Sequence, residues 1–96
     1  MGLYELVKTR REEILSIAAR HGARNLRVFG SAARGEEEEG SDLDFLVEME
    51  PGRSLLDQAA LLLDLKKALG RDVDVVSEKG LKPRIRDRVL REARPL

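Results

Sequence analysis

The sequence contains no cysteine, which excludes disulfides and thiolate metal sites and fits a reducing interior. Aromatic residues are nearly as scarce. One tyrosine, two phenylalanines and no tryptophan are too few for a platform on which bases stack. No stretch approaches the ~20 apolar residues that a membrane span requires, and the chain carries a charge by Glu5, so its start does not read as a signal peptide. The expectation is a cytoplasmic protein with no membrane partner. A charge excess is missing too: eighteen acidic and eighteen basic side chains cancel, removing any long-range pull toward nucleic acid. The single histidine, His21, has no ligand partner near it in sequence and reads as a helix end.

What is present is a 42% hydrophobic fraction, enough for a core, beneath a heavily ionised surface with 38% charged residues. At 96 residues the chain is read as one domain, residues 1–96, with room for one sheet and a few helices. A large acceptor would have to be brought by a partner. A homo-oligomer is compatible with the sequence, which does not fix the number of copies.

Leu3, Leu6, Val7, Ile14, Ile17 and Ala18 recur at helical spacings and predict one amphipathic helix stopped at His21-Gly22. Asn25 to Phe29 reads as a short strand, and Ser31 to about Glu38 as the start of a short helix broken by Gly40 and Ser41. Asp42 to Glu48 is a strand with Leu43, Phe45 and Val47 on one face and Asp42, Asp44, Leu46 and Glu48 on the other. After a Pro51-Gly52 turn, Ser54 and Asp57 match a capping box. Leu55, Ala59, Leu62, Leu65 and Leu69 form the expected stripe of a long helix, and Gly70 its stop. Arg71 to Ser77 is a third strand, and Ile85, Val89 and Ala93 mark a last helix beginning near Lys82 with Pro83 in its first turn. Strands alternating with helices predict an α/β layer, a small mixed sheet with helices packed on it.

Asp42 and Asp44 are two apart in a strand, so both carboxylates project from one face. Two such charges about 4 Å apart repel by roughly 4 kcal/mol at an effective dielectric near 20. Either solvent relieves that repulsion in an ordinary polar turn, or a hard divalent cation does, Mg²⁺ above all. Upstream, an apolar strand runs into Gly30-Ser31. Glycine permits a tight turn and close approach of a phosphate to the backbone, and Ser31 offers a hydroxyl. The plain alternative is a strand-to-helix turn with Ser31 as N-cap. Each half is common alone; Gly-Ser, ten intervening residues and Asp-x-Asp inside an apolar strand are far rarer together.

That combination resembles the signature of the DNA polymerase beta-like nucleotidyltransferase superfamily. Arg34-Gly35, the segment Arg71-Asp72-Val73-Asp74-Val75-Val76 and the closing Leu81-Lys82-Pro83 helix extend the resemblance over nearly the whole chain, toward the minimal nucleotidyltransferases. The resemblance implies that superfamily's fold and two Mg²⁺ ions held by three carboxylates. Asp42 and Asp44 would be metal-ligating and catalytic, and Asp74 would be the third carboxylate. Gly30 and Ser31 would contact the nucleotide triphosphate. Asp72 competes with Asp74, because residues two apart share a face. Asp74 is preferred on the expectation that Val73 and Val75 enclose it, making its burial costly without a cation. Arg34 has two readings: a bidentate phosphate ligand, or a partner of the glutamates that follow it.

The implied activity is transfer of a nucleoside monophosphate, AMP from ATP first, to a hydroxyl. In minimal nucleotidyltransferases the implied partner is a HEPN-domain RNase toxin, with this chain its antitoxin. Relatives that modify aminoglycosides carry an additional helical domain that is absent here. Two alternatives from other classes are a binding module that neutralises a toxin by contact alone and a regulatory nucleotide-binding domain. The acidic run Glu36 to Glu39 is expected to point into solvent, and the basic last helix (Lys82, Arg84, Arg86, Arg88, Arg91, Arg94) to be a solvated face or a docking surface for an acidic partner.

Overall fold

The computed structural model describes residues 2–36 and 42–96; Glu37 to Glu39 of the acidic run and the expected Gly40-Ser41 break lie outside the described residues. The chain forms α1 (Leu3–Thr9), α2 (Arg11–Arg20), β1 (Ala23–Phe29), α3 (Ser31–Arg34) and β2 (Leu43–Met49). It continues through α4 (Leu55–Leu69), β3 (Val73–Ser77), a 3-10 turn (Glu78–Gly80), α5 (Pro83–Glu92) and β4 (Arg94–Pro95). The sheet order is β3-β2-β1-β4. β2 and β3 run parallel, joined over the sheet by α4, while β1 pairs antiparallel with β2 on one side and β4 on the other. The mixed sheet with packed helices is the one the alternating pattern predicts.

Alternation along the strands decides which layer each side chain enters. Leu43, Phe45 and Val47 of β2 join Val28, Val73 and Val75 in the main core, beneath buried residues of α1, α2, α3 and α4. The opposite sheet face is only partly covered. There Leu46, fully buried, packs with Leu81 and Val89 beneath α5, with Phe29 and Val76 at the margin. This explains an apolar residue on the otherwise polar face of β2. The remainder of that face, toward the N-terminal ends of β2 and β3, holds the acidic residues.

Three local expectations need correction. The first helix is two helices, interrupted at Arg10 (φ −105°, ψ 23°). Neither glycine nor proline is involved. The Thr9 hydroxyl donates to the Glu5 carbonyl at 2.8 Å, a back-bond that bends helices. The bend lets α1 meet α3 while α2 lies on β1 and α4. In α4 the buried stripe is Leu61, Leu65 and Leu69, whereas Leu55 is 82% exposed and Ala59 is also exposed. The Gln58 amide donates to the Val75 carbonyl at 3.0 Å, which fixes the rotation of the helix on β3. The last helix ends at Glu92, and Arg94-Pro95 form β4, with Arg94 opposite Val28 and Pro95 opposite Arg27. Proline is tolerated because this is an edge strand. The Tyr4 hydroxyl donates to the Pro95 carbonyl at 3.1 Å and the Arg94 guanidinium lies 4.0 Å from the Tyr4 ring centre, so Tyr4 clasps the terminal strand.

The termini of α4 match their sequence signals. Ser54 and Asp57 form a reciprocal capping box, and Gly70 closes the helix in the left-handed region at φ 64°. His21 ends α2, and its Nε2 lies 2.6 Å from Asp64 Oδ2 of α4.

The rotation of α4 predicts unequal responses to truncation. Leu65→Ala should cost about 2–5 kcal/mol in urea denaturation, and Leu55→Ala should stay within about 0.5 kcal/mol. Comparable losses at both positions would contradict the observed packing.

Candidate active site

Strand β1 delivers the chain to Gly30, whose φ of 75° and ψ of −154° lie in a region essentially restricted to glycine. The reason is visible across the strand pair. Phe29 stands opposite Asp44 in the β1–β2 register, and a Cβ on Gly30 would overlap Asp44 Oδ2. Gly30 therefore serves both the turn and the close approach of a carboxylate. It is also the N-cap residue of α3, so the reading of Ser31 as a cap does not apply. Ser31 is half-buried, and its hydroxyl has no hydrogen-bond partner among the described residues. Helix α3 is a single turn ended by Gly35 at φ 70°, too short to sum a large dipole. What Gly30-Ser31 can offer a ligand is amide and hydroxyl donors at contact range.

The parallel register of β2 and β3 places Asp44 directly beside Asp74. Neighbouring strands lie about 4.8 Å apart, so two carboxylates on one face at matched positions meet at short range. Asp42 shares that face one residue before β2. The consequence falls on Asp44, the half-buried member. Burial, then the charge of Asp74, then that of Asp42 push its pKa up to about 6, against an opposing contribution from Arg34. Asp42 and Asp74 are exposed.

Asp74 was expected to be enclosed by Val73 and Val75, and that ground is incorrect. Both valines are buried on the opposite face, and Asp74 is exposed, with Oδ1 accepting from the Val75 amide at 3.0 Å. Strand register, not burial, brings it to Asp44. Asp72 precedes β3, and its carboxylate lies 3.3 Å from Lys66 Nζ of α4. Its backbone carbonyl accepts from the Leu43 amide at 3.1 Å, so Asp72 aligns the two strands.

Arg34 pairs with glutamates. Its Nε donates to Glu36 Oε2 and its Nη1 to Glu92 Oε2, each at 3.0 Å, and these partners raise its pKa. Glu92 also receives Arg88 at 3.8 Å, which ties the end of α5 to the margin of the acidic cluster. The sequence shows Glu92 only as an acid of the basic last helix, not as a partner of Arg34. It lies 58 residues from Arg34, and no local pattern signals a pair at that separation.

The fit of a divalent cation can be judged from the donors. Three hard carboxylates on one sheet face, one with its proton affinity raised by burial and then by the other two, match the oxygen chemistry of Mg²⁺. Among the described residues no three such groups converge into a finished cage. Mg²⁺ commonly takes one or two carboxylates and completes its shell with water and substrate phosphates, so an open set suits it.

The pH dependence follows from the direction of the Asp44 shift. A carboxyl whose pKa is higher folded than unfolded binds its proton more tightly when folded, so stability falls as pH rises from about 3.8 to about 6 and the loss persists above that. In metal-free buffer, the Asp44 carboxyl carbon should titrate near pH 6 by NMR. Asp44→Asn should raise the melting temperature at pH 7 and leave it unchanged below pH 3; a gain equal at both pH values would contradict this. Gly30→Ala should destabilise by about 1–3 kcal/mol through its backbone alone.

The chain can also be set beside known proteins. Residues 11–96 match the model of the nucleotidyltransferase domain family. The protein adenylyltransferase MntA of Thermococcus cleftensis is 44% identical over 89 residues, covering 84% of this chain and 90% of that protein. A solved structure provisionally assigned as a minimal nucleotidyltransferase superposes with a TM-score of 0.87 at 60% identity, over 100% of this chain and 97% of the other. The crystal structure of a toxin-antitoxin with AMP-PNP shares the fold, with a TM-score of 0.75 at 21% identity over 88% and 69% of the two chains. A glycine turned beneath an aspartate, two carboxylates paired across parallel strands, and matches extending over most of the chain agree: this chain belongs to the nucleotidyltransferase family, as a minimal nucleotidyltransferase of the MntA type.

Proposed function

We propose that this protein transfers AMP from ATP to a hydroxyl of a partner protein, and that it acts as the antitoxin to a HEPN-type toxin. The observation that carries the chemistry is the Asp44–Asp74 register pair beside Gly30. The partner reading draws on the name of the Thermococcus relative and on the toxin-antitoxin structure that contains AMP-PNP, an ATP analogue. The ATP-dependent reaction would belong to the cytoplasm.

In this reading Asp42, Asp44 and Asp74 would hold Mg²⁺, two ions being expected. When bound, the metal supplies neutralisation of the triphosphate charge and acidifies the attacking hydroxyl. The rest falls to the chain itself. Gly30, without a side chain, leaves space for phosphate oxygens against its backbone, and the Ser31 hydroxyl donates to one of them. Arg34 leaves Glu36 and Glu92 for a phosphate, exchanging exposed ion pairs of small net value for a charge-assisted contact. The acceptor oxygen attacks the α-phosphorus, the bond to the bridging oxygen breaks, and pyrophosphate departs. Asp74, an exposed carboxylate, would take the hydroxyl proton.

Incubation with α-labelled ATP, Mg²⁺ and the protein encoded by the adjacent gene tests this. Label should pass to the partner, cease with EDTA and return with excess Mg²⁺. Asp44→Asn and Asp74→Asn should each lower the rate by about 10²–10⁴-fold. Asp72→Asn, which removes one exposed ion pair, should change it by no more than about fivefold. A partner inhibited but never labelled would indicate neutralisation by contact, and ATP binding with neither outcome would indicate a regulatory domain. Loss of activity in Asp72→Asn with activity kept in Asp74→Asn would reverse the assignment of the third carboxylate.

A further inference from the structure

At the opposite ends of β2 and β3 from the carboxylates, a cleft of about 460 Å³ opens between Met49, the Pro51 turn, the start of α4 and the 3-10 turn after β3. It lies five residues along β2 from Asp44, roughly 17 Å at about 3.3 Å per residue, and shares no lining residue with the acidic cluster. Its walls are apolar at Met49, Pro51 and Leu55. Leu55 is 82% exposed, and so is its neighbour Leu56, which extends the apolar surface along α4.

The charges around it do not balance. Arg24, Arg53, Lys79 and Arg86 line the cleft against two carboxylates, Glu48 and Glu78. Both carboxylates are already occupied. Glu78 accepts from Arg27 at 2.8 Å and from Arg86 at 3.4 Å, and the Arg27 hydrogen bond holds its pKa below the usual range. Glu48 accepts from the Asn25 amide at 2.8 Å, with the largely exposed Arg24 at 3.8 Å. Asn25 is held there by a left-handed backbone (φ 53°) at an irregularity in β1. Lys79 has no carboxylate within 4.0 Å among the described residues. Arg53 lies over Gly22, where any side chain would displace it, and its Nη1 reaches Asp57 Oδ1 at 3.4 Å, a carboxylate outside the cleft lining whose other oxygen accepts from the Ser54 amide at 2.8 Å. In a protein of zero net charge this surplus is local.

We infer that this cleft is a docking site for an extended, acidic segment of a protein partner that carries an apolar side chain between its carboxylates. The apolar wall takes the anchor, and Arg24, Arg53 and Lys79 take the flanking charges. A nucleic acid fits less well, because no aromatic residue lines the cleft. A second copy docking by twofold symmetry would set the same cationic surface against itself. The inference deepens the partner reading above and rests on it only in that the partner is a protein; binding here requires no transfer chemistry.

The probes are a fluorescein-labelled decapeptide alternating aspartate with leucine and its lysine–leucine counterpart, read by fluorescence anisotropy on the full chain. The acidic peptide should bind, more weakly as salt rises, and the basic one should not. Leu55→Ser combined with Lys79→Glu, both at exposed positions, should weaken binding about tenfold or more with an unchanged melting temperature. Asp44→Asn should leave it unaltered, which separates this site from the catalytic reading. Failure of the acidic peptide to bind, equal binding of both peptides, or indifference to the double substitution would overturn the inference. So would full displacement by millimolar inorganic phosphate, the mark of a simple anion site, or a dimer in analytical ultracentrifugation that the double substitution dissolves.

Discussion

The unfavourable proximity of Asp44 and Asp74 is the constraint around which the rest of the molecule is arranged. Parallel pairing of β2 with β3 sets the two carboxylates at matched positions on one sheet face. The cost is borne at half-buried Asp44, where burial first and then the charge of Asp74 raise the pKa to about 6. A small domain tolerates such a pair only where the surrounding fold determines it. Here the hydrophobic side chains of the same strands lock the register. A slip of β2 by one residue would send Leu43, Phe45 and Val47 out of the core, so the core holds the carboxylates together despite their repulsion.

The same register divides the molecule into a sealed face and an open one. α1, α2, α3 and α4 close the first, while α5 covers only the Leu46 end of the second. Under the proposed function, the open part of that face is where a triphosphate would reach the carboxylates. Arg34 and Glu92 connect this region to the end of α5 by an ion pair. Gly30 completes the arrangement by letting β1 turn directly beneath Asp44.

Much of this was legible in the sequence where the determinants are local. Gly30-Ser31 and Asp42-x-Asp44 announce themselves by residue type and spacing, and Ser54, Asp57 and Gly70 mark the ends of α4 because caps are local chemistry. What escaped depends on tertiary geometry. Helix α4 carries leucines at 55, 56, 61, 62, 63, 65 and 69, an arc too wide for periodicity to choose the buried stripe. The Gln58–Val75 bond and packing on β3 choose it. The two-residue β4 has no alternation to read, since only the free edge of β1 defines it. Burial does not distinguish Asp74 from Asp72, since both are exposed; the register alone places Asp74 beside Asp44.

Under the proposed function, a divalent cation and a nucleotide meet at the Asp44–Asp74 pair. Anomalous diffraction from crystals grown with Mn²⁺ and a non-hydrolysable ATP analogue tests it most directly. An anomalous peak is expected between the Asp44 and Asp74 carboxylates, with the phosphates against Gly30 and Ser31. A peak on Asp72, or a triphosphate bound away from Gly30 with no metal at Asp44, would contradict it.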